Sequence, residues 1–95
     1  MKSLTISEVE AKLKFLHKNW IIKENFIQRR FIFNDFVHAF SFMTSVSLIA
    51  EKQNHHPNWE NVYNEVIINL STHDAGGLTE KDFNLALKID QLITS

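Results

Sequence analysis

Three of the five histidines, His55, His56 and His73, fall within one short stretch of the chain. Imidazole takes up and releases protons near neutral pH, so a cluster of this kind suits general acid–base chemistry. Glu51 precedes His55 by four residues. If a helix persists that far, the two side chains share a face, and the carboxylate can orient the ring. His55 and His56 stand where a helical pattern gives way to Pro57, and His73 stands in a loop after a strand. Element ends and loops are where functional groups usually sit on a rigid scaffold.

Each of these residues also has a plainer reading. A His-His pair near a helix end is equally consistent with a solvated terminus, and Glu51 with a surface charge closing the helix. Trp59 and Tyr63 fit as core aromatics, and Asp82 fits as a helix-capping residue. His17 and His38 fall inside helical patterns and offer no partner in the sequence. Metal ligation by Glu51, His55, His56 and His73 is the competing chemistry. Adjacent histidines diverge on a regular backbone, however, and the spacing matches neither His-Glu-x-x-His nor a zinc-finger pattern. We therefore expect no metal site.

The elements that must position these groups follow from the pattern. Ser7 and Glu10 form a capping-box spacing that opens a first helix, with Val9, Leu13 and Leu16 as its apolar stripe and Asn19 as its end. Trp20-Ile21-Ile22-Lys23 reads as a short strand, and Glu24-Asn25 as a turn. A second strand runs from Ile27, with Ile27, Arg29, Phe31 and Phe33 on one face. Asn34 or Asp35 caps a long second helix that ends near Gln53. Val62-Tyr63 and the run from Val66 to Ser71 read as a hairpin around Asn64-Glu65, with Val66, Ile68 and Leu70 on one face. A loop from Thr72 to Gly77 carries both glycines. Thr79 and Asp82 then cap a third helix, with Leu78 and Phe83 as a hydrophobic staple, and Leu85, Ala86, Ile89, Leu92 and Ile93 form its apolar face.

The order α-β-β-α-β-β-α predicts an α+β fold, a four-stranded antiparallel sheet with helices packed on one face. The two β-β-α halves form a weak pseudo-repeat. At 95 residues the chain has room for one domain, expected over 1–95. A domain so small needs support beyond its core, and with no cysteine that support is not a disulfide.

The second helix offers another kind of support. Phe36, Phe40, Met43, Ser47 and Ala50 make one stripe, and Phe42, Val46 and Ile49 make another. One stripe suffices to cover a sheet. The stripe through Val46 is expected to serve self-association. A net charge of −1 with no basic block argues against nucleic-acid binding. The start of the chain lacks the apolar run of a signal peptide, and no stretch is long enough to span a bilayer. A cytoplasmic protein with no membrane partner is the expectation.

The segment from Glu51 through His55-His56-Pro57 to Trp59 and Tyr63 resembles the signature of the pterin-4a-carbinolamine dehydratases. The run from Leu70 to Asp82, with Ser71-Thr72-His73-Asp74, resembles that family's second block. Phe31 to Ala50 is similar as well, so the resemblance covers about residues 20 to 93. It implies dehydration of 4a-hydroxytetrahydrobiopterin to quinonoid dihydropterin, with no cofactor because the pterin is the substrate. His55, His56 and His73 would line the site, with His56 the principal proton-transfer group and Glu51 tuning the pair. Ser71, Thr72 and Asp74 would hold the pterin ring, and Pro57, Trp59 and Asp82 would support the pocket. The resemblance also implies a homodimer joined by sheet edges or a homotetramer through the long helices. It further implies a functional link to an aromatic amino-acid hydroxylase. A non-catalytic dimerisation cofactor for a transcription factor is the alternative within the same family.

Overall fold

Two hairpins with near-identical turns build the sheet. In a computed structural model, which describes residues 2–93, β1 (Ile21–Lys23) and β2 (Phe26–Ile32) pair antiparallel through Lys23↔Phe26. β3 (Asn58–Val62) and β4 (Glu65–Leu70) pair through Val62↔Glu65. Each hairpin thus turns on two residues, and the first of each, Glu24 or Tyr63, has a left-handed φ of 48° or 52°. β2 and β4 then pair antiparallel along their length, which gives the order β1-β2-β4-β3. The helices are α1 (Ile6–Leu13), α2 (Phe36–Gln53) and α3 (Glu80–Ile93). A 3-10 turn, His73–Ala75, precedes α3 and ends on Gly76 at φ 70°, a conformation that glycine adopts without penalty. The expected α+β order and antiparallel sheet are those observed.

The strands alternate as a sheet covered on one side should. Ile27, Arg29 and Phe31 of β2 and Val66, Ile68 and Leu70 of β4 are buried. They pack with Ala39, Phe42, Val46 and Ala50 of α2 and Phe83, Leu85, Ala86 and Ile89 of α3.

Several boundaries differ from the sequence reading, each for a local reason. α1 is capped by Thr5, whose hydroxyl accepts from the Glu8 N–H while Glu8 accepts from the Thr5 N–H. The Ser7–Glu10 spacing satisfies the same pattern. Thr5 takes the role where the Leu4 N–H is tied to the Leu78 carbonyl at 2.7 Å. The helix ends at Leu13, and turns carry the chain to Trp20. β3 starts at Asn58, directly after Pro57, and the turn is Tyr63–Asn64 rather than Asn64–Glu65. The Asn61 amide fixes that turn by donating to the Tyr63 and Glu65 carbonyls at 3.0 and 2.8 Å.

The face that α2 turns inward is the one expected to face outward. Val46 is fully buried and Phe42 nearly so, so the stripe assigned to self-association faces the protomer's own core. Phe36, Val37, Phe40 and Leu48 are the exposed apolar side chains. On a helix that is apolar nearly all round, periodicity does not select a face. The inward side here contains Ala39 and Ala50, which are 0% and 1% exposed and let α2 approach closely.

Arg29 points into this core, and its partner explains why. Its guanidinium meets the buried Asp90 of α3 at 2.6 Å. Asp90 also accepts from the Trp20 indole N–H and the His17 backbone N–H, both at 2.8 Å. The guanidinium lies 4.4 Å from the Phe31 ring centroid. His17 and His38, unpartnered in the sequence, both have neighbours. His17 Nδ1 accepts from the Asn19 N–H, and His38 Nδ1 meets the Asp35 carboxylate at 2.7 Å.

Asp35 caps α2 and Glu8 sits in the first turn of α1. Their carboxyls are held below the usual range, chiefly by the backbone N–H groups of His38 and Thr5. A depressed carboxyl stabilises the fold at neutral pH, and this contribution fades as pH falls through the lowered value. Removing one member of a buried ion pair strands the other. Asp90→Ala should therefore cost about 3–5 kcal/mol in urea unfolding. A loss under about 1 kcal/mol would show that the pair does not organise this core.

Candidate active site

The end of α2 decides where the two adjacent histidines go. Asn54 terminates the helix with φ 53° and ψ 43°, a left-handed cap. Asparagine tolerates this conformation better than most side chains. The His55 N–H reaches back to the Ala50 carbonyl at 3.0 Å. The reversal sends the two imidazoles to different partners. His55 is largely buried and its Nε2 lies 2.6 Å from Asp82 Oδ1. His56 is exposed and its Nε2 lies 2.9 Å from Glu51 Oε1. The carboxylate four residues before His55 thus serves His56, because the helix stops before it can bring Glu51 and His55 onto one face.

Asp82 has two roles at once. It reaches back to the Thr79 N–H at 2.9 Å, the capping contact expected from the sequence. It also accepts from the Thr72 hydroxyl at 2.8 Å and holds His55, while itself fully buried. The Thr72 and Thr79 hydroxyls lie 2.7 Å apart, and Thr79 accepts from the Lys81 N–H at 3.3 Å. A carboxylate only accepts, so the neutral imidazoles facing Asp82 and Glu51 carry their proton on Nε2. This leaves Nδ1 of each ring with a lone pair for proton exchange.

The other expected residues lie around this core. His73 is exposed at the start of the 3-10 turn. Thr72 is buried, its N–H donates to the Gly77 carbonyl at 2.8 Å, and its carbonyl accepts from the Ala75 N–H at 3.0 Å. Those backbone groups hold the loop itself. Ser71 is half-buried and Asp74 exposed on either side. Pro57 is half-buried between His56 and β3, and Trp59 packs on the core opposite Ile68. Among the described residues no three histidine, aspartate or glutamate side chains converge as a metal site, and no helix is long and apolar enough to cross a membrane.

His55 opens into a cavity of about 340 Å³ between the end of α2 and α3, together with Gln53, Lys81, Asn84, Leu87 and Lys88. The sequence reading missed these neighbours. Their signal is the helical spacing of Lys81, Asn84 and Lys88, a polar stripe beside the apolar face of α3.

Fold and site together define a small α+β protein with two histidine–carboxylate pairs at the end of α2. The pterin 4 alpha carbinolamine dehydratase family matches residues 2–92. A Prochlorococcus marinus protein, provisionally named as such a dehydratase, is 58% identical over 87 residues, 92% of this chain and 86% of its own. A similarly named protein from Solibacter usitatus is 49% identical over 89 residues, 94% and 93% of the two chains. The crystal structure of a transcriptional coactivator/pterin dehydratase from Brucella melitensis superposes with a TM-score of 0.89. It is 41% identical and covers 96% of this chain and 98% of its own. The chain belongs to the pterin-4a-carbinolamine dehydratase family.

Truncating Asp82 would orphan the Thr79 N–H and the His55 ring and leave the Thr72 hydroxyl only the Thr79 hydroxyl as a partner. Each stranded buried group costs about 1–3 kcal/mol. Asp82→Ala should therefore lower stability by about 3 kcal/mol or more. In the wild type, the imidazole Nε2–H of His55 should give a proton NMR signal protected from exchange. An unprotected signal and a mild Asp82→Ala variant would contradict this arrangement.

Proposed function

We propose that this protein is a hydro-lyase that converts 4a-hydroxytetrahydrobiopterin to quinonoid dihydropterin and water. The observation that carries the reading is the family match, which runs through the whole histidine region. The paired imidazoles support it. Dehydration needs a proton delivered to the departing 4a-hydroxyl and one removed from ring nitrogen N5. The C4a–O bond breaks, the N5=C4a bond forms, and water leaves with no net change in protons. Hydroxide is a poor leaving group, so a positioned acid and base are the main requirement.

In this proposal His56 is the principal proton-transfer group. Its exposure and its Glu51 partner suit a ring that must exchange protons with solvent between turnovers. His55, fixed by Asp82, presents the second Nδ1, and His73 closes the site. Ser71 and Asp74 flank the pterin ring, while Thr72, Pro57 and Trp59 support the pocket wall. The reaction runs in the cytoplasm, without metal, and serves a hydroxylase that oxidises tetrahydropterin. The protein acts as a homodimer or homotetramer, with the exposed Phe36, Val37, Phe40 and Leu48 of α2 at one contact.

The test is dehydration of a 4a-hydroxypterin generated in situ by a hydroxylase and followed by absorbance. His56→Ala and His73→Ala should each lower the rate by roughly 100- to 10,000-fold with the fold intact. Activity should survive exhaustive chelation. Wild-type rates in both variants would remove these histidines from the mechanism. No acceleration by the wild type would leave the adaptor reading in place of the enzyme.

Assembly is tested separately by sedimentation at low micromolar concentration. The wild type should run as a dimer or larger, and Phe40→Glu should reduce a tetramer to a smaller species. A folded wild-type monomer would sink the assembly proposal.

A further inference from the structure

The cavity at His55 has a neighbour that shares part of its wall. Gln53 and Lys88 line both, and Ile49 and Lys52 complete the second. The two cavities therefore adjoin between α2 and α3, with His55 lining one end and Lys52 the other. Three ammonium groups border the pair: Lys81 by His55, Lys88 at the junction, and Lys52 at the far end. Among the described residues none of the three has a salt bridge.

The nearby carboxylates are engaged elsewhere. Glu51 meets His56, Glu80 meets Lys12 at 2.6 Å, and Asp82 is buried against His55, Thr72 and Thr79. Lys81 sits in the first turn of α3, the end where the helix dipole disfavours a cation. Gln53 and Asn84 add amide donors between the charges. Near-neutral overall charge makes this concentration of unpaired cations a local feature.

We infer that this pair of cavities selects a reduced pterin whose side chain carries a phosphate monoester. The inference rests on the dehydratase reading and specifies its substrate class. A phosphate monoester carries nearly two negative charges at neutral pH and several acceptor oxygens, which suits three ammonium groups and two amides. With the bicyclic ring at the histidines, its side chain lies along the cavities toward Lys88 and Lys52. A pterin with a neutral dihydroxy side chain leaves those charges unused.

The experiment compares two 4a-hydroxytetrahydropterins, one with a neutral dihydroxypropyl side chain and one with the same chain phosphorylated. The phosphorylated form should have a KM lower by about tenfold, the scale of one charge-assisted hydrogen bond, with kcat little changed. This preference should shrink as ionic strength rises, because these contacts are exposed. In the double variant Lys52→Gln, Lys88→Gln the ratio of the two KM values should fall to about one.

Equal KM values in the wild type, with both substrates turned over, would overturn the inference and leave the dehydratase reading intact. A preference that survives the double variant would overturn it too, since the cavities would not be reading the phosphate. Turnover of neither substrate would overturn the dehydratase reading and this inference with it.

Discussion

The buried carboxylate of Asp82 is the constraint on which the site depends. Three segments converge on it: the end of α2, 27 residues away, through His55, the loop after β4 through Thr72, and the start of its own helix through Thr79. A fully buried carboxylate is tolerable only when its oxygens are well supplied with donors, and these three supply them. The carboxylate that caps α3 through Oδ2 therefore also orients His55 through Oδ1. Positioning of the histidine and initiation of the helix are not separable in this protein.

Asp90 does the same at the other end of α3. It joins that helix to β2 through Arg29 and to the segment before β1 through Trp20 and His17. A single helix thus carries a buried acid near each terminus, one facing the candidate site and one facing the core. Between them Leu85, Ala86 and Ile89 supply the apolar contact. Hydrophobic burial is non-directional, so it holds α3 against the sheet without fixing how far the helix slides or turns. The two carboxylates, with fixed donors, set that position.

Much of this was legible in the sequence, and what was not has particular causes. The strand faces of β2 and β4 followed from alternation, and Thr79 with Asp82 announced α3. The histidines were singled out by type and spacing. The pairing of Glu51 was not readable, because it depends on where α2 stops. That is decided by Asn54, whose left-handed backbone moves His55 off the helix face. Asp82 as the partner of His55 lies 27 residues away in the chain, beyond the reach of any local pattern. Arg29 on an otherwise apolar strand face was visible as an oddity. Its explanation, Asp90, is a contact across 61 residues. The inward face of α2 was ambiguous because large apolar side chains surround the helix.

The order of strands in the sheet has a consequence for how the chain assembles itself. Both hairpins close over two residues and can form within microseconds. The pairing that unites them, β2 with β4, joins Ile32 to Glu65 only after the whole of α2 has been spanned. Closing a loop of that length costs roughly 3 kcal/mol in chain entropy, and the ladder returns little until several residues are in register. The inner face of α2, which packs across both strands, is the surface that can offset this cost while the ladder forms. Folding speed is then governed by a helix and two central strands meeting together, with the hairpin tips as early, reversible local events.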